Sequence, residues 1–177
     1  MTTDYTHLST FKLEPSEIVL NYVSLPKVVH LDDPATTAMI DFANNPPLTF
    51  DKTAPMMMAR RAMEARNIPF VFVLDAEQQV AGFLSLKHIL SEEPIKMIEE
   101  NRVMRSEVLI RNVMTPLAVI PVIDLLKLEL AKVGHILKTL EYAHSECVLV
   151  VDHTGSHDKK SLRGIFLLSD LNKLLGR

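Results

Sequence analysis

The sequence predicts an α/β (α+β) fold built from two tandem repeats, and three observations lead to this prediction. Two segments of the 177-residue chain show the same order of helix, strand, polar turn, strand and short helix. Asp75 and Asp152 each end an apolar run and lie 77 positions apart, an offset that the preceding helices keep. The strands are nearly continuous apolar runs, which indicates that both faces of each sheet are covered.

The first repeat is assigned to residues 33–92. An extended segment over 47–50 leads into a helix over 54–66, and apolar runs at 69–74 and 80–84 predict two strands joined by a polar turn. We expect one face of this helix to be formed by Ala54, Met58, Ala62 and Ala65, with Met57 beside them. A short helix then holds Leu86, Ile89 and Leu90.

The second repeat is assigned to residues 108–177. An extended segment over 117–120 precedes a helix, and strands are predicted at 147–151 and 162–167. Helical spacing relates Leu130, Val133, Leu137, Leu140 and His144, with Ile136 alongside. The closing helix carries Leu168, Leu171, Leu174 and Leu175. The distance from the aspartate to the next glycine grows from 7 to 12 residues, and turns tolerate such insertions.

The remaining segments connect or extend the repeats. Residues 93–107, with a helix predicted over 94–100, form a linker, and residues 1–32 are interpreted as an arm that wraps the domain or binds a partner. One repeat has little core of its own, so we expect the two to pack together.

The composition limits the classes of function. Hydrophobic residues make up 47% of the chain, charged residues 23%, and the net charge is −3. Basic residues never occur in runs longer than a pair, so we expect no nucleic-acid surface. Only five glycines are present, and no phosphate-binding loop or catalytic signature is found, which indicates a protein that is not an enzyme.

The single cysteine bears on the cellular compartment. Cys147 cannot form an internal disulfide and lies in an apolar run, so we expect a reducing compartment and an inert buried thiol. The start of the chain lacks the features of a signal peptide, and no apolar stretch approaches the roughly 18 residues of a membrane helix. We therefore expect a soluble cytoplasmic protein without membrane contact.

Two kinds of motif frame the repeats. Residues 113–116 (Val-Met-Thr-Pro) open the second repeat and residues 164–170 close it, while residues 39–42 and 82–88 occupy the matching places in the first. The opening and closing motifs resemble those of the CBS domain pair, or Bateman module, of a stand-alone bacterial type. The resemblance covers residues 33–177 and implies two β-α-β-β-α repeats about a pseudo-twofold axis, with two equivalent clefts between them.

The resemblance also implies a ligand site. In the family the closing motif runs from a glycine through a hydroxyl residue to an aspartate: the aspartate binds ribose, the hydroxyl lies near ribose or phosphate, and strand backbone recognises adenine. The first repeat keeps Ser85 but has His88 in place of the aspartate, and the second keeps Asp170 but has Leu167 in place of the hydroxyl. The residues so implicated are Gly82, Ser85, Lys87, His88, Met114, Thr115, Gly164, Ser169 and Asp170. We expect the Asp170 cleft to be the better site.

Two functions follow from the resemblance. The first is a regulatory sensor, with no required cofactor, that binds AMP, ADP, ATP or S-adenosylmethionine and is read by a protein effector. The alternative is a degenerate pair that acts as a dimerisation or docking scaffold without a nucleotide. Either form is expected to be a homodimer, with the helix over 54–66 and the leucine-rich final helix as dimer surfaces.

Several of these side chains also have simpler interpretations. Asp170 could simply place a favourable negative charge in the first turn of its helix, without binding a ligand. Ser85 could simply be an N-cap. Lys87 and Lys173 could be solvated surface residues. Asp152, His153, His157 and Asp158 suggest a metal site, but they lie beside Gly155 in what is more simply a polar turn.

Overall fold

The computed structural model of the protein describes residues 28–101, 104, 106–153 and 160–177. Most of the expected N-terminal arm, part of the linker, and His157 and Asp158 lie outside the described residues. Within the described part, no helix is long and apolar enough to cross a membrane.

The first half of the chain contains one helix between strands, as predicted, followed by two further helices. Its elements are β1 (Ile40–Asp41), β2 (Thr49–Asp51), α1 (Met56–Arg66), β3 (Phe70–Leu74), β4 (Val80–Ser85), α2 (Leu86–Ile89) and α3 (Glu92–Asn101). A 3₁₀ turn over Ala35–Ala38 precedes β1. The predicted strands at 69–74 and 80–84 and the linker helix are confirmed.

The second half repeats this order. Its elements are α4 (Ile110–Val113), β5 (Thr115–Pro116), β6 (Val122–Asp124), α5 (Leu125–Leu128), α6 (Val133–Tyr142), β7 (Cys147–Asp152), β8 (Ser161–Leu167) and α7 (Leu168–Leu174). The two units β2-α1-β3-β4-α2 and β6-α6-β7-β8-α7 confirm the predicted β-α-β-β-α repeat, the second with the short α5 added. The C-terminal ends of the central helices also match, because Asn67 and His144 both adopt a left-handed conformation, with φ of 52° and 48°.

Each repeat completes the sheet of the other. The sheets have the orders β2-β3-β4-β5 and β1-β8-β7-β6, so the opening strands β1 and β5 are exchanged. β1 pairs antiparallel with β8, where Arg163 forms an ion pair with Asp41, and β5 pairs antiparallel with β4. The exchange ties the two repeats into one body and brings each opening motif to the other repeat's closing motif.

The two sheets lie face to face, with a helical layer outside each. On β3, Phe70 and Phe72 point into the core between the sheets, while Val71 and Val73 pack under the helices. The inter-sheet core also contains Cys147 and a group of aromatic rings with centroids 5.4–6.3 Å apart. Both faces of the central strands are therefore covered, as their continuous apolar sequence predicts.

Three details of the sequence-based assignment are wrong. The buried face of α1 consists of Met56, Ala59 and Met63, and Met58 is 58% exposed. Long methionine side chains bury more apolar area than alanines, so they decide which face of the helix points inward.

The other two errors concern the second repeat. Leu130 lies before α6 and is 93% exposed, and His144 follows the helix end. Residues 117–119 form a 3₁₀ turn rather than an extended segment, and the strand comes later, at β6. Apolar periodicity cannot distinguish a 3₁₀ turn from a strand here, because three residues are too few to show the period of either.

Candidate functional site

The glycines of the two closing motifs are where the repeats approach each other most closely. A Cβ atom at Gly82 would lie 2.6 Å from the carbonyl oxygen of Thr115 and 3.0 Å from the sulfur of Met114. A Cβ atom at Gly164 would lie 2.8 Å from both the carbonyl oxygen of Ile40 and the sulfur of Met39. Glycine is needed at both positions because the backbone of the opposite repeat's opening strand occupies the space of a side chain.

The exchange of opening strands divides the predicted site residues into two groups. Met114 and Thr115 lie against β4, whose strand leads directly into Ser85, Lys87 and His88. Gly164, Ser169 and Asp170 form the other group, together with Met39 and Ile40 of the first repeat. Sequence reasoning noted Met39 and Ile40 as a weak opening motif but did not place them in a site, because the strand exchange is a long-range contact.

Beside β1 and α7 lies a cavity of about 420 Å³, here called the Asp170 slot. Its lining is mostly apolar: Val28, Thr37, Ala38, Met39, Ile40, Asp170, Lys173 and Leu174. Asp170 and Lys173 supply its charged groups. A mostly apolar cavity with a few polar groups is the usual form of a small-molecule site.

A larger cavity of about 1110 Å³, the central cleft, lies between the beginnings of α2 and α7. Predicted site residues from both repeats line it, namely Ser85, Lys87, Ser169 and Asp170. Asp170 and Lys173 line the slot and the central cleft alike, so the two cavities meet at these side chains.

Ser85 is engaged by the protein itself. Its hydroxyl accepts a hydrogen bond from the backbone N–H of His88 at 3.0 Å, which makes Ser85 the N-cap of α2. The same hydroxyl donates to Oε2 of Glu146 at 3.3 Å, and Oε1 of Glu146 accepts from Nζ of Lys87 at 2.8 Å. Glu146 was not among the sequence-predicted residues, and it links the two repeats across the cleft.

Asp170 is the more available carboxylate. It lies in the first turn of α7, its side chain is 31% exposed, and Nζ of Lys173 is 3.8 Å from Oδ1. No other ion pair or hydrogen bond to this carboxylate is found among the described residues. Both carboxylate oxygens can therefore accept hydrogen bonds from a ligand.

The remaining candidate side chains lie away from these cavities. Burial raises the pKa of the Cys147 thiol to about 12, with the Glu146 carboxylate a lesser cause. Nε2 of His153 lies 2.8 Å from Oδ2 of Asp124, the N-cap of α5. Within residues 28–101, 104, 106–153 and 160–177, no group of three His, Cys, Asp or Glu side chains could hold a metal ion.

Comparison with known proteins finds a match to one family model and several solved structures of similar fold. Residues 38–94 match the family model described as CBS domain, and no curated protein matches the chain in sequence. An uncharacterized conserved protein from Pyrococcus horikoshii is 18% identical, with a TM-score of 0.56 over 84% of this chain and 96% of that one.

Two similar structures contain ligands. The CBS domain pair of protein MJ0100, in complex with 5′-methylthioadenosine and S-adenosyl-L-methionine, is 19% identical, with a TM-score of 0.54 over 82% of this chain and 97% of that one. CBSX2 in complex with AMP is 16% identical, with a TM-score of 0.51 over 80% and 94%. The family match and the exchanged pair of sheets agree: residues 38–94 are similar to a CBS domain, and the chain has the fold of a tandem CBS pair.

Proposed function

We propose that the chain is a non-catalytic regulatory module that binds an adenosyl ligand in the Asp170 slot. The observation that carries the proposal is that one carboxylate, Asp170, lines both a small slot and a wider cleft that also contains the charged side chains Lys87 and Glu146. An adenosyl compound has the matching sequence of parts: a flat base, a ribose with two hydroxyls, and a 5′ substituent.

In this proposal each part of the ligand has its own place. The adenine lies among the apolar side chains Met39 and Leu174, and the ribose hydroxyls donate to the available carboxylate of Asp170. The 5′ substituent enters the central cleft past Lys173 and Ser169. The adenosyl complexes of MJ0100 and CBSX2 support this class of ligand, because both proteins share the fold.

The first-repeat side of the central cleft is the weaker site in this proposal. Ser85 and Lys87 already bind Glu146, so a ligand there must break a hydrogen bond and an ion pair. His88 stands where the family's aspartate would bind ribose. Gly82, Met114 and Thr115 then serve to hold the strands together.

Regulation follows from where the slot lies. Its walls combine Met39 and Ile40 of the first repeat with Asp170 of the second. A ligand in the slot therefore favours the arrangement in which β1 is seated on β8, and it can shift the protein between states only by binding them unequally. A protein effector would bind preferentially to that arrangement of the two repeats.

The experiment is a thermal-shift series with adenosine, 5′-methylthioadenosine, S-adenosylmethionine, AMP, ADP and ATP. A ligand at 100 times its dissociation constant stabilises the folded state by about 2.7 kcal/mol, and we expect Asp170→Ala to remove that shift. Glu141→Ala is the control, because Glu141 is exposed on α6 and lines neither cavity.

The outcome of this series separates the two candidate functions. A shift that survives in Asp170→Ala would contradict the slot as the site. No thermal shift with any compound at millimolar concentration would favour the scaffold function. The hydrogen bond between Ser85 and Glu146 supports that function, because it already occupies the first-repeat side of the cleft.

We also propose that the protein is a homodimer through the exposed side of α1. Met58 is exposed there and Ala62 and Ala65 follow at helical spacing, whereas Leu168, Leu171 and Leu174 of α7 pack on the core of their own repeat. An apolar helix face of this kind is stabilised by a second copy. Light scattering after gel filtration should give twice the monomer mass, and Met58→Glu should give the monomer mass; a wild-type monomer would contradict the proposal.

A further inference from the structure

Glu146 is a single carboxylate that reaches across the central cleft from one repeat to the other. Its backbone carbonyl accepts from the N–H of Leu168 at 2.9 Å, which fixes it beside the start of α7. Its side chain extends to the opposite repeat, where it bonds Ser85 and Lys87. The backbone of Glu146 is therefore held on the second repeat's side of the cleft, and its carboxylate is held by two residues on the first repeat's side.

The pseudo-twofold relation between the repeats does not supply a second such group. The position 77 residues earlier is Pro69, whose carbonyl accepts from the N–H of Leu86 at 2.8 Å in the same way. Proline carries no charge and no side-chain hydrogen-bonding group. The central cleft thus has one extra negative charge on the second repeat's side, where a ligand of the Asp170 slot would place its 5′ substituent.

The charges that line the central cleft balance within the protein. Lys87 and Lys173 are the cations, and Glu146 and Asp170 are the anions. Lys87 already forms an ion pair of 2.8 Å with Glu146, and Lys173 lies beside the carboxylate that binds ribose. A phosphate, with about −1.5 to −2 charges at neutral pH, would meet the Glu146 carboxylate, and among the described lining residues Lys173 is the one cation that Glu146 does not hold.

We propose that Glu146 makes the site select adenosyl ligands whose 5′ substituent carries no phosphate. The favoured substituent is a neutral thioether or a cationic sulfonium bearing an ammonium group, which Glu146 attracts. The proposal rests on the proposed adenosyl function and adds the class of ligand to it.

The test compares three ligands by isothermal titration calorimetry: 5′-methylthioadenosine, S-adenosylmethionine and AMP. We expect wild-type protein to bind AMP about tenfold more weakly than 5′-methylthioadenosine at low salt. Glu146→Gln should tighten AMP binding about tenfold and leave 5′-methylthioadenosine within about twofold, because only the charge is removed. Glutamine retains an oxygen that accepts from Ser85, so folding should be retained.

A matched control isolates the position of the charge. Glu129→Gln makes the same change in net charge at an exposed residue outside both cavities, and it should leave all three affinities unchanged. The preference against AMP should also weaken at high salt, since exposed charges are screened.

The outcomes separate this proposal from the function on which it rests. Equal wild-type affinities for AMP and 5′-methylthioadenosine, or an equal gain for all three ligands in Glu146→Gln, would overturn the selectivity and leave the adenosyl site standing. Absence of binding by all three ligands to wild-type protein would overturn both.

Discussion

Asp170 and Glu146 have different proposed roles although both are carboxylates at the same cleft. Asp170 has both oxygens available and lies at the junction of two cavities, so it can accept from a ligand. Glu146 is already bonded by Ser85 and Lys87, so it acts through its charge. The closing motif is enough to indicate Asp170, whereas Glu146 acquires its role only when the fold brings two distant segments together.

Cys147 gives a prediction about reactivity. The side chain is 3% exposed in the inter-sheet core, and burial raises the pKa of its thiol to about 12. Since the thiolate is the reactive form, a thiol reagent at pH 8 should label native protein far more slowly than denatured protein. Rapid labelling of the native state, measured by absorbance or mass spectrometry, would show that the core opens at this strand.

The same thiol predicts how stability depends on pH. The unfolded thiol ionises near its ordinary pKa of 9.0, while the folded one stays protonated up to about 12. Between these pH values the native state binds one more proton than the unfolded state. The contribution of this thiol to the free energy of unfolding is therefore complete below pH 9 and decreases as the pH rises towards 12. Urea denaturation of wild type and Cys147→Ala should show a steeper alkaline loss in wild type.

The elements of the fold differ in how far local sequence determines them. The strands β3, β4, β7 and β8 were predicted because each is a nearly continuous apolar run. The opening strands β1 and β5 have two residues each, and their pairing partners lie more than 30 residues away in the other repeat. Apolar periodicity therefore cannot predict the exchange of these strands, nor which residues line the slot.

The exchange predicts that the closing-motif glycines are required for stability. In Gly82→Ala the new methyl group would lie 2.6 Å from the backbone oxygen of Thr115, so strand β5 must shift. We expect a loss of about 1 to 3 kcal/mol in the free energy of unfolding, measured by urea denaturation. Gly134→Ala is the milder comparison, because its methyl group would lie 3.3 Å from the carbonyl oxygen of Leu31, still a tight contact, while alanine favours a helix. Equal stability of the two variants would argue against close strand packing at Gly82.

The whole molecule combines a symmetric scaffold with an asymmetric cleft. Two repeats exchange their opening strands, and residues of both line the central cleft. The departures from symmetry lie at the cleft: Asp170 opposite His88, Leu167 opposite Ser85, and Glu146 opposite Pro69. The first two are visible in the sequence motifs, and the third required the tertiary structure. The asymmetry predicts one functional site per chain.

The stoichiometry of ligand binding measures this asymmetry directly. Isothermal titration of wild-type protein with 5′-methylthioadenosine should saturate at about one ligand per chain, because the Asp170 slot is open and Ser85 and Lys87 are held by Glu146. Asp170→Ala should abolish that binding. Saturation at two ligands per chain, or no heat of binding at millimolar ligand, would rule out a single adenosyl site at Asp170.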